Sequence, residues 1–269
     1  MKVAALGPEG TFSHGAVLKY AADASVVFAP TLYEVFEAVD KGDAEIGIVP
    51  IENSLSGTIG LTTDGLMNFN MNVIGEVVLP IRHQLAGKGK IVDIKKVYVQ
   101  PQTYDQCITF IREQLHDAQI TMTRSNADSA QLLDSSSKLE EAAIVPSLAV
   151  EHYGLNVIQK DIQDDDHNKT RFFVISKEAG ERVEKSKTSI AVTPIEDTPG
   201  LLRSLLSAFA DRDINLTKME SRPAKSKLGD YVFFIDFQGH RDDDAVKEAF
   251  AVIEKEFSLK VLGSYPEAY

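Results

Sequence analysis

The sequence predicts an α/β protein in two parts, and three observations carry that expectation. Over residues 1 to about 176, short apolar runs alternate with helical patterns. A charged stretch without apolar periodicity follows at residues 177–187. Beyond it the order changes to strand, helix, two strands, helix, strand. A chain of 269 residues has room for two domains, each with its own core.

The first strand is VAAL, residues 3–6, followed by the turn GPEGTFS and the helical pattern HGAVLKYAA. IGIVPI, residues 46–51, is a buried strand that runs through ENSLSGTIG into the helix LTTDGLMNF. VYVQ, residues 97–100, leads through PQT to a helix around CITFIREQL, and AAIVP, residues 142–146, leads to SLAVEHYGL. This alternation predicts a parallel sheet, in which ligands collect at the carboxyl ends of the strands. KEAGERVEKSK, residues 177–187, reads as a linker. TSIAVTPI is then a strand, and residues 200–213 form a helix with Leu201, Leu202, Leu205, Leu206 and Phe209 as its apolar positions. NLTKMESRP and YVFFIDFQG are successive strands. Residues 244–257 are helical with Val246, Ala249, Phe250, Ile253 and Phe257 on one face, and LKVLGSY is the last strand. The order βαββαβ is the ferredoxin-like split unit, a small domain of about 80 residues.

Composition excludes several functions. Twenty-eight basic against 40 acidic residues give a net charge of −12, which repels a phosphate backbone, so no nucleic-acid partner is expected. The same charge requires an anionic substrate to be met by a local positive site. One cysteine, Cys107, excludes an intramolecular disulfide and fits a reducing compartment. Lying in helical pattern, it reads as core. The N-terminus lacks the features of a signal peptide, and no apolar run is long enough for a bilayer, so a cytoplasmic protein without a membrane partner is expected. There is no GxGxxG, Walker A, GxSxG or HExxH, and the acidic run at residues 164–166 reads as a solvated loop. No metal is expected.

Three polar turns hold the remaining chemistry. In GPEGTFS, Thr11 or Ser13 caps the helix beginning near His14; the turn reads equally as a plain cap or as an anion site at a helix N-terminus. At the end of the strand of residues 46–51, Glu52, Asn53 and Ser54 arrive together, with Gly57 and Thr58 close behind. A cap needs one such residue, so this turn favours a ligand site. In NKTRF, Thr170 and Arg171 stand before the apolar run that Phe172 opens. They are either charged flanks of a strand or a hydrogen-bond donor beside a carboxylate-binding guanidinium.

Together these stretches resemble prephenate dehydratase. Residues 7–13 resemble the family's opening motif, and Val49-Pro50-Ile51-Glu52-Asn53-Ser54 with Gly57-Thr58 its second. Arg82-His83-Gln84-Leu85 and Tyr153-Gly154-Leu155 resemble further stretches, ahead of Asn168 and Thr170-Arg171-Phe172. Thr198-Pro199-Gly200-Leu201-Leu202 and Glu220-Ser221-Arg222-Pro223 resemble the two phenylalanine-binding motifs of its ACT regulatory domain. Two places depart from the family pattern: Gln100-Pro101-Gln102-Thr103-Tyr104 stands for His-Pro-Gln-Ala-Leu, and Leu201-Leu202-Arg203 for Ala-Leu-Val.

The resemblance implies a two-lobed, periplasmic-binding-protein-like catalytic domain over residues 1–180 and an ACT domain over residues 188–266. It implies loss of water and carbon dioxide from prephenate to give phenylpyruvate, in phenylalanine biosynthesis, without metal or organic cofactor. Thr170 is then expected to assist the departing hydroxyl, Glu52 or a water to relay a proton, Arg171 to hold a carboxylate and Phe172 to keep the site dry. Thr11, Ser13, Asn53, Ser54, Gly57 and Thr58 are the expected substrate-binding residues. Pro199, Gly200, Leu201, Leu202, Asn215, Leu216, Glu220, Ser221 and Arg222 are those for phenylalanine as an inhibitor, in a homodimer or homotetramer. Arogenate dehydratase and a non-catalytic amino-acid sensor are the alternatives.

Overall fold

Strand β1 (Lys2–Leu6) sends Val3 and Ala5 to one side of a sheet and Ala4 to the other, so both faces must be covered. The computed structural model describes residues 1–196, 198–224 and 230–268. After β1 come α1 (Phe12–Tyr20), β2 (Ser25–Ala29), α2 (Leu32–Lys41), β3 (Ile46–Asn53), β4 (Gly57–Thr58), α3 (Gly60–Asn68) and β5 (Asn72–Pro80). The chain crosses to a second lobe of β6 (Gln84–Gly87), β7 (Lys96–Val99), α4 (Pro101–Gln106), α5 (Ile108–Gln114) and β8 (Gln119–Met122). That lobe continues with α6 (Asn126–Asp134), β9 (Glu141–Val145), α7 (Ser147–His152) and β10 (Val157–Gln159), and the chain returns as β11 (Lys169–Ser176). The last part is β12 (Ser186–Pro194), α8 (Leu201–Ala210), β13 (Leu216–Pro223), β14 (Tyr231–Gln238), α9 (Asp244–Ile253) and β15 (Phe257–Pro266).

The first sheet has the order β2-β1-β3-β11-β5, with β4 paired to β3; the second is β10-β6-β9-β7-β8. Neither is purely parallel, contrary to the expectation from strand–helix alternation. In the first sheet β11 is antiparallel to both β3 and β5 because it returns from the other lobe. In the second, β6 is antiparallel to β9 and to β10. The reversal has a use: the start of β11 lies beside the end of β3, at the ligand-binding edge. Helix α1 covers one face of the first sheet, over Ile48, Phe172 and Val174, and α2 and α3 cover the other, over Val49, Phe173 and Ile175. Cys107 separates α4 from α5 and is fully buried, as core; burial raises its thiol pKa far above the ordinary value. No helix among the described residues is long and apolar enough to cross a membrane.

The C-terminal sheet, β13-β14-β12-β15, has the βαββαβ order. Its Ile190, Phe233, Ile235 and Phe237 pack under Leu201, Leu205 and Phe209 of α8 and Val246 and Ala249 of α9. Leu202 and Leu206, expected among the apolar positions of α8, are instead 43% and 40% exposed. The opposite face of the sheet is not free. Ala191, Phe234, Leu262 and Tyr265 join the core beneath α2 and α3, so the small domain lies directly on the first lobe. The stretch read as a linker is shorter than expected: β12 starts at Ser186, and Lys187 is completely buried, with its Nζ 3.0 Å from Glu76 of β5.

Two details lock this contact. Lys260 Nζ of β15 donates to the carbonyls of Leu66 (2.8 Å), Met67 (3.2 Å) and Phe69 (3.2 Å), a cation on the negative end of α3. Gly263 passes so close to β5 that a Cβ there would meet Val73 O at 2.1 Å. Backbone cannot yield as a side chain does, so Gly263→Ala is expected to destabilise the protein by about 1–3 kcal/mol. Urea unfolding checks this, and an unshifted midpoint would mean that the two sheets separate readily here.

Candidate active site

The cleft lies between the two lobes, with a volume of about 760 Å³. Residues at the carboxyl ends of β1, β2 and β3 line it from the first lobe, and those at the N-termini of α4 and α6 from the second. Two segments cross between the lobes, and they are tied together: Ile81 N donates to Asn168 O at 2.8 Å, and His83 N to Gln163 Oε1 at 3.0 Å.

Thr170 stands at the start of β11, 8% exposed, with its side chain on the cleft. Asn53, at the end of β3, donates from Nδ2 to Thr170 Oγ1 (3.0 Å) and to Asn168 Oδ1 (2.8 Å). The orientation of the Asn53 amide is set by its other end, where Oδ1 accepts from Leu55 N (3.1 Å) and Ser56 N (3.0 Å). Thr170 therefore accepts from Asn53, and among the described residues no protein group takes its hydroxyl proton. Phe172, two residues on, shares that face, and Phe12, Phe28, Pro50 and Ile59 complete an apolar wall. Thr11 and Ser13 also line the cleft. Thr11 is the cap of α1, its Oγ1 accepting from His14 N at 3.4 Å.

The second lobe contributes what sequence reading left out. Gln100 caps α4, accepting from Thr103 N at 3.1 Å, and Gln102 Nε2 reaches across to Ser56 Oγ at 3.2 Å. Ser125 caps α6, accepting from Asp128 N at 3.0 Å. Arg124 beside it is the one cation lining the cleft among the described residues, with Nε 2.8 Å from Asp128. The signal was present as Ser125 followed three residues later by an acid, a helix-start pattern. A deeper chamber holds His83 and Gln106, whose Nε2 and Oε1 are 2.8 Å apart; His83 Nδ1 is buried without a partner among the described residues.

The family model for prephenate dehydratase matches residues 3–180. This chain belongs to the prephenate dehydratase family. The ACT-domain model matches residues 195–255. The prephenate dehydratase of Methanocaldococcus jannaschii is 36% identical over 267 residues, 96% of each chain. The arogenate dehydratase/prephenate dehydratase 2 of Arabidopsis thaliana is 36% identical over 99% of this chain and 73% of its own. The crystal structure of prephenate dehydratase from Arthrobacter aurescens in complex with L-Phe superposes with a TM-score of 0.91 and 34% identity, over 100% of this chain and 90% of that one. The fold is therefore that of a prephenate dehydratase: two periplasmic-binding-protein-like lobes followed by an ACT domain.

Against the expectations from the prephenate dehydratase motifs, several residues lie elsewhere. Arg171 alternates with Thr170 along β11 and faces away from the cleft. It is buried against Glu76 (Nε–Oε2 2.5 Å), Asp236 (2.5 Å) and Tyr265 (2.9 Å). It therefore anchors no substrate carboxylate in this arrangement. Burial by itself would lower the guanidinium pKa, but the charges of Asp236, Tyr265 and Glu76 outweigh it and raise the value. Glu52 is also on the far side, 3.0 Å from Lys218 and 3.8 Å from Arg171, and is in no position to relay a proton to Thr170. The cause is a bulge: Arg171 pairs with Glu52 but Phe172 pairs with Pro50, so Ile51 is an extra residue in β3. Simple alternation from Pro50 would aim Glu52 into the cleft; the bulge aims Asn53 there. Ser54 is outside the cleft lining, accepting from Lys169 N at 3.0 Å, while Gly57 turns the chain at φ +77° and Thr58 Oγ1 accepts from Lys218 Nζ at 2.8 Å.

In the ACT domain a second pocket, of about 540 Å³, is lined by Gly200, Leu201, Leu202, Arg203 and Ser221 together with Thr193, Tyr231 and Phe233. Pro199 lies in the turn beside it. Glu220 and Arg222 flank Ser221 on the strand and so project to the opposite face, and Asn215 hydrogen-bonds Gln238 (3.2 Å) at the other end of β13 next to Leu216. One chain does not bring these four into the pocket.

Burial lowers the pKa of His83 and of His14 from the ordinary 6.5, opposed by the Gln106 hydrogen bond and by the charge of Glu9 respectively. Both then bind fewer protons folded than unfolded. Their contribution is complete above pH ~6.5 and is lost as pH falls through the lowered folded values. The urea midpoint is expected to drop between pH ~7.5 and ~5.5, and His83→Gln to shrink that drop. An identical drop in the variant would remove His83 as a cause.

Proposed function

We propose that this prephenate dehydratase converts prephenate to phenylpyruvate with Thr170 as the donor to the departing hydroxyl. Asn53 supports this most directly. Because its amide nitrogen donates to Thr170 Oγ1 at 3.0 Å, the Thr170 proton is directed elsewhere, toward the cleft. A hydroxyl that already accepts one hydrogen bond is a better donor of the next. The substrate dianion gives the phenylpyruvate anion, carbon dioxide and hydroxide. The carbon–carbon bond to the ring carboxylate breaks and its electron pair enters the ring, while the ring carbon–oxygen bond breaks at the other end. Charge grows on the leaving oxygen, where a placed donor lowers the barrier.

The two carboxylates need opposite treatment. The one that is lost must not be held in an ion pair, which would stabilise the ground state, and Phe172, Phe12 and Phe28 offer it an apolar wall. The surviving side-chain carboxylate has a candidate partner in Arg124, with the N-termini of α6 and α1 and the hydroxyls of Thr11 and Ser13 nearby. Arg124→Gln should raise KM about tenfold with little change in kcat, since this grip is the same in ground and transition states. Loss of kcat alone would reassign it.

The pocket beside Gly200 and Ser221 is proposed to take phenylalanine as an inhibitor. The exposed Leu202, Leu206 and Met219 fit a contact between ACT domains in a homodimer or homotetramer. The buried Cys107 fits a cytoplasmic setting. Pure protein incubated with prephenate should yield phenylpyruvate, and turnover should fall when phenylalanine is added. No product from prephenate, but phenylalanine from arogenate, would move the chain to the arogenate activity of its plant relative.

A further inference from the structure

Two dipeptides in register span the first sheet at the cleft edge: Thr170 pairs with Asn53, and Arg171 with Glu52. Each gives one residue to each face. Asn53 and Thr170 meet in the cleft at 3.0 Å, while Glu52 and Arg171 meet behind it at 3.8 Å. The back pair is held by the ACT domain. Asp236 Oδ2 and Tyr265 Oη bind the Arg171 guanidinium at 2.5 and 2.9 Å, and Ser189 Oγ fixes both, 2.5 Å from each. Lys218 Nζ reaches Glu52 at 3.0 Å and Thr58 at 2.8 Å. Glu76 closes the cluster, sharing its two oxygens between Arg171 (2.5 Å) and Lys187 (3.0 Å).

We propose that Arg171 and Glu52 are positioning residues through which the ACT sheet sets the Asn53–Thr170 hydrogen bond, and hence turnover. The inference rests on Thr170 being the donor. Three features of the geometry carry it. Around Arg171 the cluster is buried, with Arg171 at 6%, Asp236 at 5%, and Lys187 and Tyr265 at 0% exposure, so those bonds are not exchanged for water, while the Glu52 carboxylate is 37% exposed and is held by Lys218. Arg171 is held by three directional hydrogen bonds, which fix the rotation of β11 and with it the Thr170 hydroxyl on the other face. And β13 is shared: Ser221 lines the ACT pocket, while Lys218 and Arg222 touch the catalytic lobe. A Cβ on Gly60, the first residue of α3, would meet the Arg222 guanidinium at 2.2 Å. A ligand that shifts β13 therefore acts on Glu52 and on the loop behind Asn53 without reaching the cleft.

Tyr265→Phe and Lys218→Met test this in the full chain, since neither side chain touches the cleft. Each should lower kcat about two- to thirtyfold with KM within about twofold of the parent protein, while thermal melting shows a folded protein. Saturating phenylalanine should then suppress turnover by a smaller factor than in the parent. Parent-like kcat in both variants, or an equal factor of inhibition, overturns the coupling. Thr170→Val separates the two readings: if it is inactive while both ACT variants run at the parent rate, the coupling alone falls, and if it is active, both fall.

Discussion

Thr170→Val is expected to lower kcat by about a hundred- to a thousandfold, the usual cost of one well-placed donor to a developing oxyanion. The substitution keeps the branched shape at Cβ, and Thr170 is only 8% exposed, so packing should survive. Valine does leave Asn53 Nδ2 without one of its acceptors, but Asn168 Oδ1 at 2.8 Å and Lys169 O at 3.2 Å remain. Thr170→Ser retains the hydroxyl and loses a methyl, and should stay within about tenfold of the parent. Steady-state turnover of prephenate decides it. A valine variant with near-normal kcat and an intact fold would remove Thr170 from the chemistry.

Arg171→Met should show the largest effect on stability. It removes the central cation of a buried cluster, leaving Glu76 with Lys187 at 3.0 Å and taking from Asp236 the guanidinium that lies 2.5 Å away. Truncating one member of such a buried group costs about 3–5 kcal/mol, because the remaining charges cannot reach water. Urea unfolding followed by circular dichroism is the measurement. A change under about 1 kcal/mol would place the Arg171 pairs among surface-like interactions. Arg171→Lys should be intermediate, since a lysine ammonium cannot reproduce three bonds made from three different nitrogens.

How far the sequence reaches depends on what periodicity encodes. The βαββαβ unit was legible because each of its helices keeps one apolar face, as in Val246, Ala249 and Ile253 of α9. The catalytic lobes were legible as alternating elements but not as mixed sheets, because strand direction follows from which lobe the chain has just left. Within the site, Thr170, Phe172, Thr11, Ser13 and Asn53 could be found from motif and turn chemistry. Arg171 could have been placed correctly too, since neighbours on a strand cannot face the same way. Glu52 could not: its direction turns on one extra residue in β3, which no pattern of apolar residues announces. Arg124 was missed because a fully solvated arginine has no periodic signature, and Glu220 and Arg222 lie outside the ACT pocket because they alternate with Ser221 along β13.

The bulge at Ile51 also has a bearing on how this protein tolerates change in length. Pro50 and Asn53 face the same side although two residues separate them, and the bulge takes up the odd one. Deleting Ile51 would therefore leave plain alternation, with Asn53 still in the cleft and Glu52 still toward Lys218 and Arg171. Losing the bulge while keeping Ile51 is the damaging change, since it turns the carboxylate toward the substrate anion and the amide away, with every amino acid still present. Pairing, and not only composition, is inherited information at this position.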